Sequence, residues 1–164
     1  MGKIVKALLF IILLAFIVIQ FFRPDKVVDI HPEELAVNHV FEVPENVMST
    51  FKNSCYDCHS DEIKYPWYWN VQPARWILHD HIVEGRRELN FSAIGSYPLY
   101  RQYKKLREIR EEIEEGKMPV KGYTVMHSGT SLSDDQKKEI FAWADQARAA
   151  MEAKYPADSL IRKK

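Results

Sequence analysis

The residues with the most distinctive chemistry are Cys55, Cys58 and His59, in the run Cys-Tyr-Asp-Cys-His. Positions three and four residues apart share one face of a helical turn, so both thiols and the imidazole would point the same way. Two thiols placed like this can form thioethers to the two vinyl groups of a haem, and the adjacent imidazole can bind its iron. The C-x-x-C-H pattern therefore predicts one covalently attached haem c, with His59 as the proximal axial ligand.

Other interpretations of the cysteine pair explain less of the pattern. A redox-active C-x-x-C of the thioredoxin kind needs a βαβ context, and no segment has a strand pattern. A zinc site needs a fourth ligand at close spacing, whereas the remaining histidines are scattered along the chain. A disulfide between Cys55 and Cys58 would leave His59 without a role.

Met118, in the run Gly-Lys-Met-Pro, is the predicted distal axial ligand. A residue before proline is restricted to extended conformations, which present its side chain outward from the turn. Thioether sulfur is a soft ligand that favours ferrous iron and raises the potential relative to two histidines. The alternatives are that Met118 only fills the core or that the sixth position is open. Other side chains that compete for the iron are Met126, His127, His79 and His81, with His31 and His39 poorer candidates.

The elements that must position these residues have helical patterns. Val47, Phe51 and Cys55 follow a predicted helix start near Pro44 at a spacing of four. Residues 65–73 contain two prolines among aromatic residues and predict an ordered loop. Further helices are predicted over Ala74–Glu88, over Leu99–Glu115 with Gly116 as the stop, and after the capping box of Ser133 and Gln136. Because no segment predicts a strand, we expect an all-α domain.

The N-terminus carries an uncharged apolar run from Ala7 to Phe22. A helix over about residues 4–22 would be about 28 Å long, against a hydrocarbon core of ~30 Å. The run is not followed by the small residues of a signal-peptide cleavage site. It therefore predicts one transmembrane helix in contact with membrane lipid, within an anchor at residues 1–26. Covalent haem attachment takes place outside the cytoplasm, so we expect a single-pass protein of the inner (cytoplasmic) membrane, with its C-terminal domain in the periplasm.

Composition limits the remaining possibilities. The 164 residues contain 23 Lys and Arg and 23 Asp and Glu, and this balance excludes the basic footprint of a nucleic-acid binder. A hydrophobic fraction of 46% with 12% aromatic residues is typical of a folded chain. Behind the anchor, the pattern predicts a tether at 27–42, a haem-binding domain at 43–152 and a C-terminal tail at 153–164.

One longer stretch resembles a known family. The run NSCYDCHSDEIKYPWYWNVQPARWILHDHIVEGRRELNFS is followed by GKMP, then by H-x(4)-LS and a terminal helix with Trp143. Over about residues 40–150 this is similar to the haem-binding domain family of small bacterial cytochrome c-like proteins. The resemblance implies a cytochrome c-type fold, in which the first and last helices cross and loops edge the haem. It also implies that Cys55, Cys58 and His59 attach the haem, with Met118 at the Met-Pro position.

Two functional classes fit this sequence. In the first, the protein is a membrane-anchored monohaem c-type cytochrome that passes single electrons to a periplasmic redox partner protein. In the second, it is a haem-based small-molecule sensor or peroxidase-like enzyme with an open or displaceable sixth ligand. We favour the carrier, because no further catalytic constellation is present. Two sets of residues have a predicted role beside the haem. The aromatic residues would form the walls of the haem pocket, unless they are ordinary core: Tyr65, Trp67, Tyr68, Trp69 and Trp76. One of Arg75, Arg86 and Arg87 would pair with a haem propionate, unless all three are surface residues.

Overall fold

The computed structural model describes residues 2–162, and helix is the only regular secondary structure in that part of the chain. Its α-helices are α1 Lys3–Ile19, α2 Val37–Val40, α3 Glu45–Ser54, α4 Tyr56–His59, α5 Ala74–Glu88, α6 Leu99–Glu114, α7 Lys121–Met126 and α8 Asp134–Lys154. Short 3-10 helices lie at Glu33–Leu35, Trp67–Asn70, Ile94–Ser96 and Ala157–Ser159. The predicted all-α class is confirmed for the described residues.

The helix boundaries follow from local sequence signals. Pro98 precedes α6, where its missing N–H and fixed φ suit a helix start. Gly116 ends the same helix with a φ of 70°, a left-handed conformation that favours glycine. The capping box predicted before α8 is present: Ser133 Oγ accepts from the Gln136 N–H at 3.2 Å, and Gln136 Oε1 accepts from the Ser133 N–H at 2.9 Å.

The core forms where α3, α6 and α8 meet. Phe51 of α3 stacks on Phe91 at 4.7 Å between ring centroids and meets Trp143 of α8 edge-on at 5.2 Å. Such aromatic pairs add to the stability gained from burying their area. Leu160, in the predicted tail 153–164, is buried in the same core.

The segment predicted as a tether, 27–42, is packed against the domain. Val37 is fully buried, and its N–H donates to the carbonyl of Phe91 at 2.8 Å. Nearer the N-terminus, His31 is held by Asp61. The backbone N–H of His31 donates to Asp61 Oδ2 at 2.8 Å, and the ring Nδ1 of His31 lies 2.9 Å from the same oxygen. These contacts fix the segment to the domain, where a free tether would have none.

The N-terminal helix α1 is shorter than the predicted span of about 4–22. It has 17 residues, and none of its side chains is buried. The helix ends at Ile19 because the following residues are held by the domain: Gln72 and Trp76 donate side-chain hydrogen bonds to the Phe22 carbonyl at 2.6 and 2.8 Å. Among the described helices, none is both long and apolar enough to cross a membrane. The predicted transmembrane helix is therefore not supported, and contact of α1 with lipid stays a prediction.

Candidate functional site

The C-x-x-C-H motif occupies one turn at the junction of α3 and α4. The N–H groups of Cys58 and His59 both donate to the carbonyl of Cys55, at 3.2 and 3.0 Å. This turn gives the three side chains the shared face that their spacing predicts. All three side chains line the same cavity, as the motif requires.

His59 is oriented by the chain that follows α5. Its Nδ1 lies 2.9 Å from the carbonyl of Leu89, and a carbonyl only accepts, so Nδ1 carries the proton and Nε2 has a free lone pair. Burial lowers the pKa of His59, against the opposing effect of carbonyls at Leu89 and Gly85, and the charge of Lys105 lowers it further. A neutral imidazole with a fixed tautomer is the form that binds a metal.

Gly85 allows α5 to approach the motif closely. A Cβ at this position would lie 2.7 Å from the carbonyl oxygen of Cys58, closer than real Cβ contacts occur. A glycine inside a helix costs stability relative to alanine, so this position trades helix propensity for packing. The sequence shows Gly85 only as a glycine within a helical pattern. The reason for it is the Cys58 backbone, which belongs to another helix and is brought there by the fold.

The two cysteines are unpaired, protonated thiols. Burial, followed by the neighbouring Cys58, raises the pKa of Cys55 to about 12. Burial, followed by the charge of Asp57, raises the pKa of Cys58 to about 11. Thioredoxin-type exchange depends on a lowered thiol pKa, which is the opposite of what is found here. The described residues contain no group of three or more His, Cys, Asp or Glu placed to hold a metal ion.

The cavity in front of the motif has the volume and lining of a cofactor site. It encloses about 750 Å³, within the range of small-molecule and cofactor pockets. Its walls are mostly apolar, with Phe51 and Phe91 beside the motif and Ile109 and Ile113 contributed by α6. An apolar cavity that also contains two thiols and an imidazole suits a large, flat, mostly apolar group that is tied to the chain.

Met118 lines this cavity from the turn after α6. Its N–H and that of Lys117 both donate to the carbonyl of Glu112, at 3.0 and 2.9 Å, across the left-handed Gly116. The helix stop therefore also fixes the start of the Met-Pro segment. Met118 has a thioether, the soft ligand type that suits haem iron, and lies in the wall of the same cavity as His59.

Of the other predicted competitors for the iron, His81 and Met126 line the cavity as well. His127 does not, because its Nε2 bonds the Tyr68 hydroxyl at 3.2 Å and its Nδ1 bonds the Tyr123 carbonyl at 3.1 Å. The remaining histidines pair with carboxylates away from the cavity: His31 with Asp61, His39 with Glu33 and His79 with Asp80.

Most of the aromatic residues predicted to form the walls of the haem pocket do not line the cavity. Of these five residues, Tyr68 alone is among the residues that line the described cavity. Trp67 is 76% exposed, and Trp69 is buried against Tyr65, with their ring centroids 4.3 Å apart. Trp76 donates to Phe22, as described above. Tyr65, through its hydroxyl and Val27, and Trp76 hold residues 22–27 to the domain, and Phe51, Phe91 and Tyr123 line the cavity in place of the predicted residues.

The arginines predicted to meet a propionate also point away from the cavity. Arg75 donates to the carbonyl of Pro24 at 2.9 Å, and Arg86 donates to Asp61 at 2.6 Å. Arg87 is exposed and contacts Glu84 at 3.3 Å. Among the described residues that line the cavity, the one Lys or Arg is Lys105. It lies in the run KKLREIREEIEE, whose dense charge is typical of a solvated helix face, so the sequence pattern does not mark Lys105 as a cavity residue.

Tyr123 of α7 is a further residue that sequence reasoning missed. Its hydroxyl donates to Asp57 Oδ2 at 2.8 Å, so α7 is tied to the middle of the C-x-x-C-H motif. Burial raises the pKa of Tyr123, and the hydrogen bond to Asp57 raises it further. The phenol thus remains a neutral donor that holds α7 beside the cavity.

A helical domain with two thiols, a neutral imidazole and a thioether around one apolar cavity has the site of a haem protein. The chain belongs to the haem-binding domain family, whose model matches residues 14–146. It is also 26% identical over 101 residues to cytochrome c peroxidase Ccp of Escherichia coli (strain K12). That match covers 60% of this chain and 22% of the relative, so the chain spans about a fifth of the relative's length. No solved structure gives a significant match.

Proposed function

We propose that this protein is a monohaem c-type cytochrome that transfers single electrons. The observation that carries the proposal is that Cys55, Cys58, His59 and Met118 all line one apolar cavity of cofactor size. The family match supports the haem, and the motif supports its covalent attachment.

Each of these residues has a role that suits its state in the structure. The S–H groups of Cys55 and Cys58 would add across the two vinyl groups, with sulfur bonding one carbon and hydrogen the other. His59 Nε2 would bind the iron, and Met118 is the candidate for the sixth position. When bound, the haem supplies a one-electron couple between ferric and ferrous iron. The apolar walls would exclude water from a bound haem and so contribute to setting its potential.

We place the domain in the periplasm, because thioether attachment of haem takes place outside the cytoplasm. An electron carrier needs only an accessible haem edge and a docking surface, and two exposed apolar residues lie at the cavity. Ile77 and Met126 both line it and are 56% and 57% exposed. They would supply apolar contact for a periplasmic redox partner protein.

A second candidate function is peroxidase-like chemistry at an open or displaceable sixth position. Its support is the similarity to a cytochrome c peroxidase, over a stretch that is 22% of that protein. This function needs iron that binds peroxide, whereas a carrier needs iron whose two axial positions are both filled. The two functions therefore differ in the coordination of the haem.

The test is to coexpress the full chain with c-type haem maturation machinery, purify it in mild detergent, and record optical spectra of both oxidation states. A haem that remains with the polypeptide under denaturing conditions, with the far-red band of ferric iron–methionine ligation, supports the carrier. A high-spin spectrum that changes with peroxide or carbon monoxide supports the second function. The control is the double variant Cys55→Ala, Cys58→Ala. If that variant retains as much covalent haem as the parent, the assignment is wrong.

A further inference from the structure

Lys105 is an unusual residue for its position in the fold. It lies on α6 and is only 7% exposed, although lysine is almost never buried without a partner. Its neighbour Lys104, on the same helix, keeps a side chain that is 53% exposed. Lys105 lies in the wall of the cavity, whose lining is mostly apolar.

The partners of Lys105 in the structure use only part of the hydrogen-bonding capacity of its ammonium group. Lys105 Nζ lies 2.7 Å from Glu108 Oε2 and 3.3 Å from Glu88 Oε2. An ammonium has three donor hydrogens, so these two carboxylates leave one of them free. Both carboxylates also have a partner other than Lys105: the side chain of Glu88 is 59% exposed to solvent, and Glu108 is paired with Lys104 at 2.7 Å.

The charged residues that line the cavity indicate which group the free hydrogen of the Lys105 ammonium would bind. Four glutamates, Glu84, Glu88, Glu108 and Glu112, also line it, against the single lysine. A haem carries two anionic propionate groups. Burying a carboxylate in a mostly apolar cavity that also contains four glutamates costs free energy unless the carboxylate pairs with a cation. Lys105 is the one lysine or arginine among the described residues that line the cavity.

We propose that Lys105 binds a propionate group of the haem through the ammonium hydrogen that Glu88 and Glu108 leave free. The two glutamates hold the ammonium in place, so it is oriented before the haem arrives. This inference rests on the proposed function, because it assumes that the haem occupies this cavity. It adds a specific residue, and it replaces the arginines that the sequence suggested.

The test compares three variants of the full-length holoprotein with the parent. Lys105→Met removes the charge while keeping an unbranched side chain of similar length. Lys105→Arg keeps the charge but donates from different nitrogens. The matched control is Lys104→Met, which removes a lysine that pairs with the same Glu108 from an exposed position outside the cavity wall. The readouts are the propionate-bending band in resonance Raman spectra and the midpoint potential.

We expect Lys105→Met to move the propionate-bending band and lower the midpoint potential, because a cation near the iron favours the ferrous state. Lys105→Arg should move the band while keeping the potential closer to that of the parent. Lys104→Met should leave the band in place. If Lys105→Met does not mature, the Raman band of Lys105→Arg decides.

Two results overturn the inference: an unmoved band in the Lys105 variant that matures, or an equal movement in Lys104→Met. Mass spectrometry of the parent separates this failure from that of the proposed function. A parent with covalent haem and an unmoved band in the variants refutes only the role of Lys105. A parent without covalent haem refutes both proposals.

Discussion

The close approach of α5 to the C-x-x-C-H turn leads to a sharp prediction for Gly85→Ala. The added methyl carbon would lie 2.7 Å from the carbonyl oxygen of Cys58 and 3.3 Å from its Cβ. Ordinary contacts at such positions begin at 3.4 Å, so the two backbones must separate by several tenths of an ångström. No side-chain rotation relieves this contact, since the nearest atom belongs to the backbone.

The magnitude follows from two opposing effects. Replacing glycine by alanine inside a helix stabilises the folded state by about 0.5–1 kcal/mol. Overpacking a closed contact costs about 1–3 kcal/mol, and a backbone contact belongs at the upper end of that range. We therefore expect Gly85→Ala to lower the free energy of unfolding by about 2 kcal/mol. Because α5 leads into Leu89, whose carbonyl orients His59, we also expect a change in the haem spectrum.

The assay is denaturant unfolding of the full-length holoprotein in mild detergent, followed by far-UV circular dichroism. Gly122→Ala in α7 is the matched control, because a Cβ there would meet nothing within 4 Å. It should be neutral or slightly stabilising. If Gly85→Ala is as stable as Gly122→Ala and has an unchanged haem spectrum, the reasoning about this contact is refuted.

Three further predictions concern the iron, the segment before α3 and the response to acid. Met118→Ala should open the sixth position, and carbon monoxide titration should show stronger binding; an unchanged spectrum would instead favour Met126 or His81. Val37→Ala should lower the free energy of unfolding by about 2 kcal/mol in denaturant titrations, because it removes two buried methyl groups and leaves a cavity. An unchanged midpoint would mean that residues 27–42 behave as a loose tether. Burial raises the pKa of Asp61, but hydrogen bonds from Asn90 and His31 and the charge of Arg86 lower it more, so the net shift is downward. Its stabilising contribution is therefore present above about pH 4 and lost as the pH falls through the lowered pKa, and Asp61→Asn should flatten the measured fall in stability below about pH 4.

Helix boundaries were the most predictable part of the fold. The helix expected over Ala74–Glu88 has those limits in the structure, and α6 ends one residue before the expected Glu115. The capping box at Ser133 forms as expected. Each of these features depends on residues within a few positions of one another, so a local pattern contains the information that determines it.

The contacts that side chains make with distant segments were much less predictable. The aromatic residues around Trp69 have the composition of a cofactor wall, yet most of them do not line the cavity, and Tyr65 and Trp76 instead hold the segment after α1. The same reasoning failed for the arginines: Arg86 was a reasonable propionate partner by type, but it pairs with Asp61. Residue type shows what a side chain is able to bind, whereas the packing of distant segments decides what it meets.

The sequence by itself determined the haem motif, the helical class, the limits of α5 and α6 and the start of α8, because these depend on short-range spacing and capping. Only the tertiary structure decided that residues 27–42 pack on the domain, that Gly85 allows two helices to touch, and that Lys105 faces the cavity. Those outcomes depend on which faces of distant elements come together. A buried lysine and a solvated one have the same sequence pattern until another helix covers one of them.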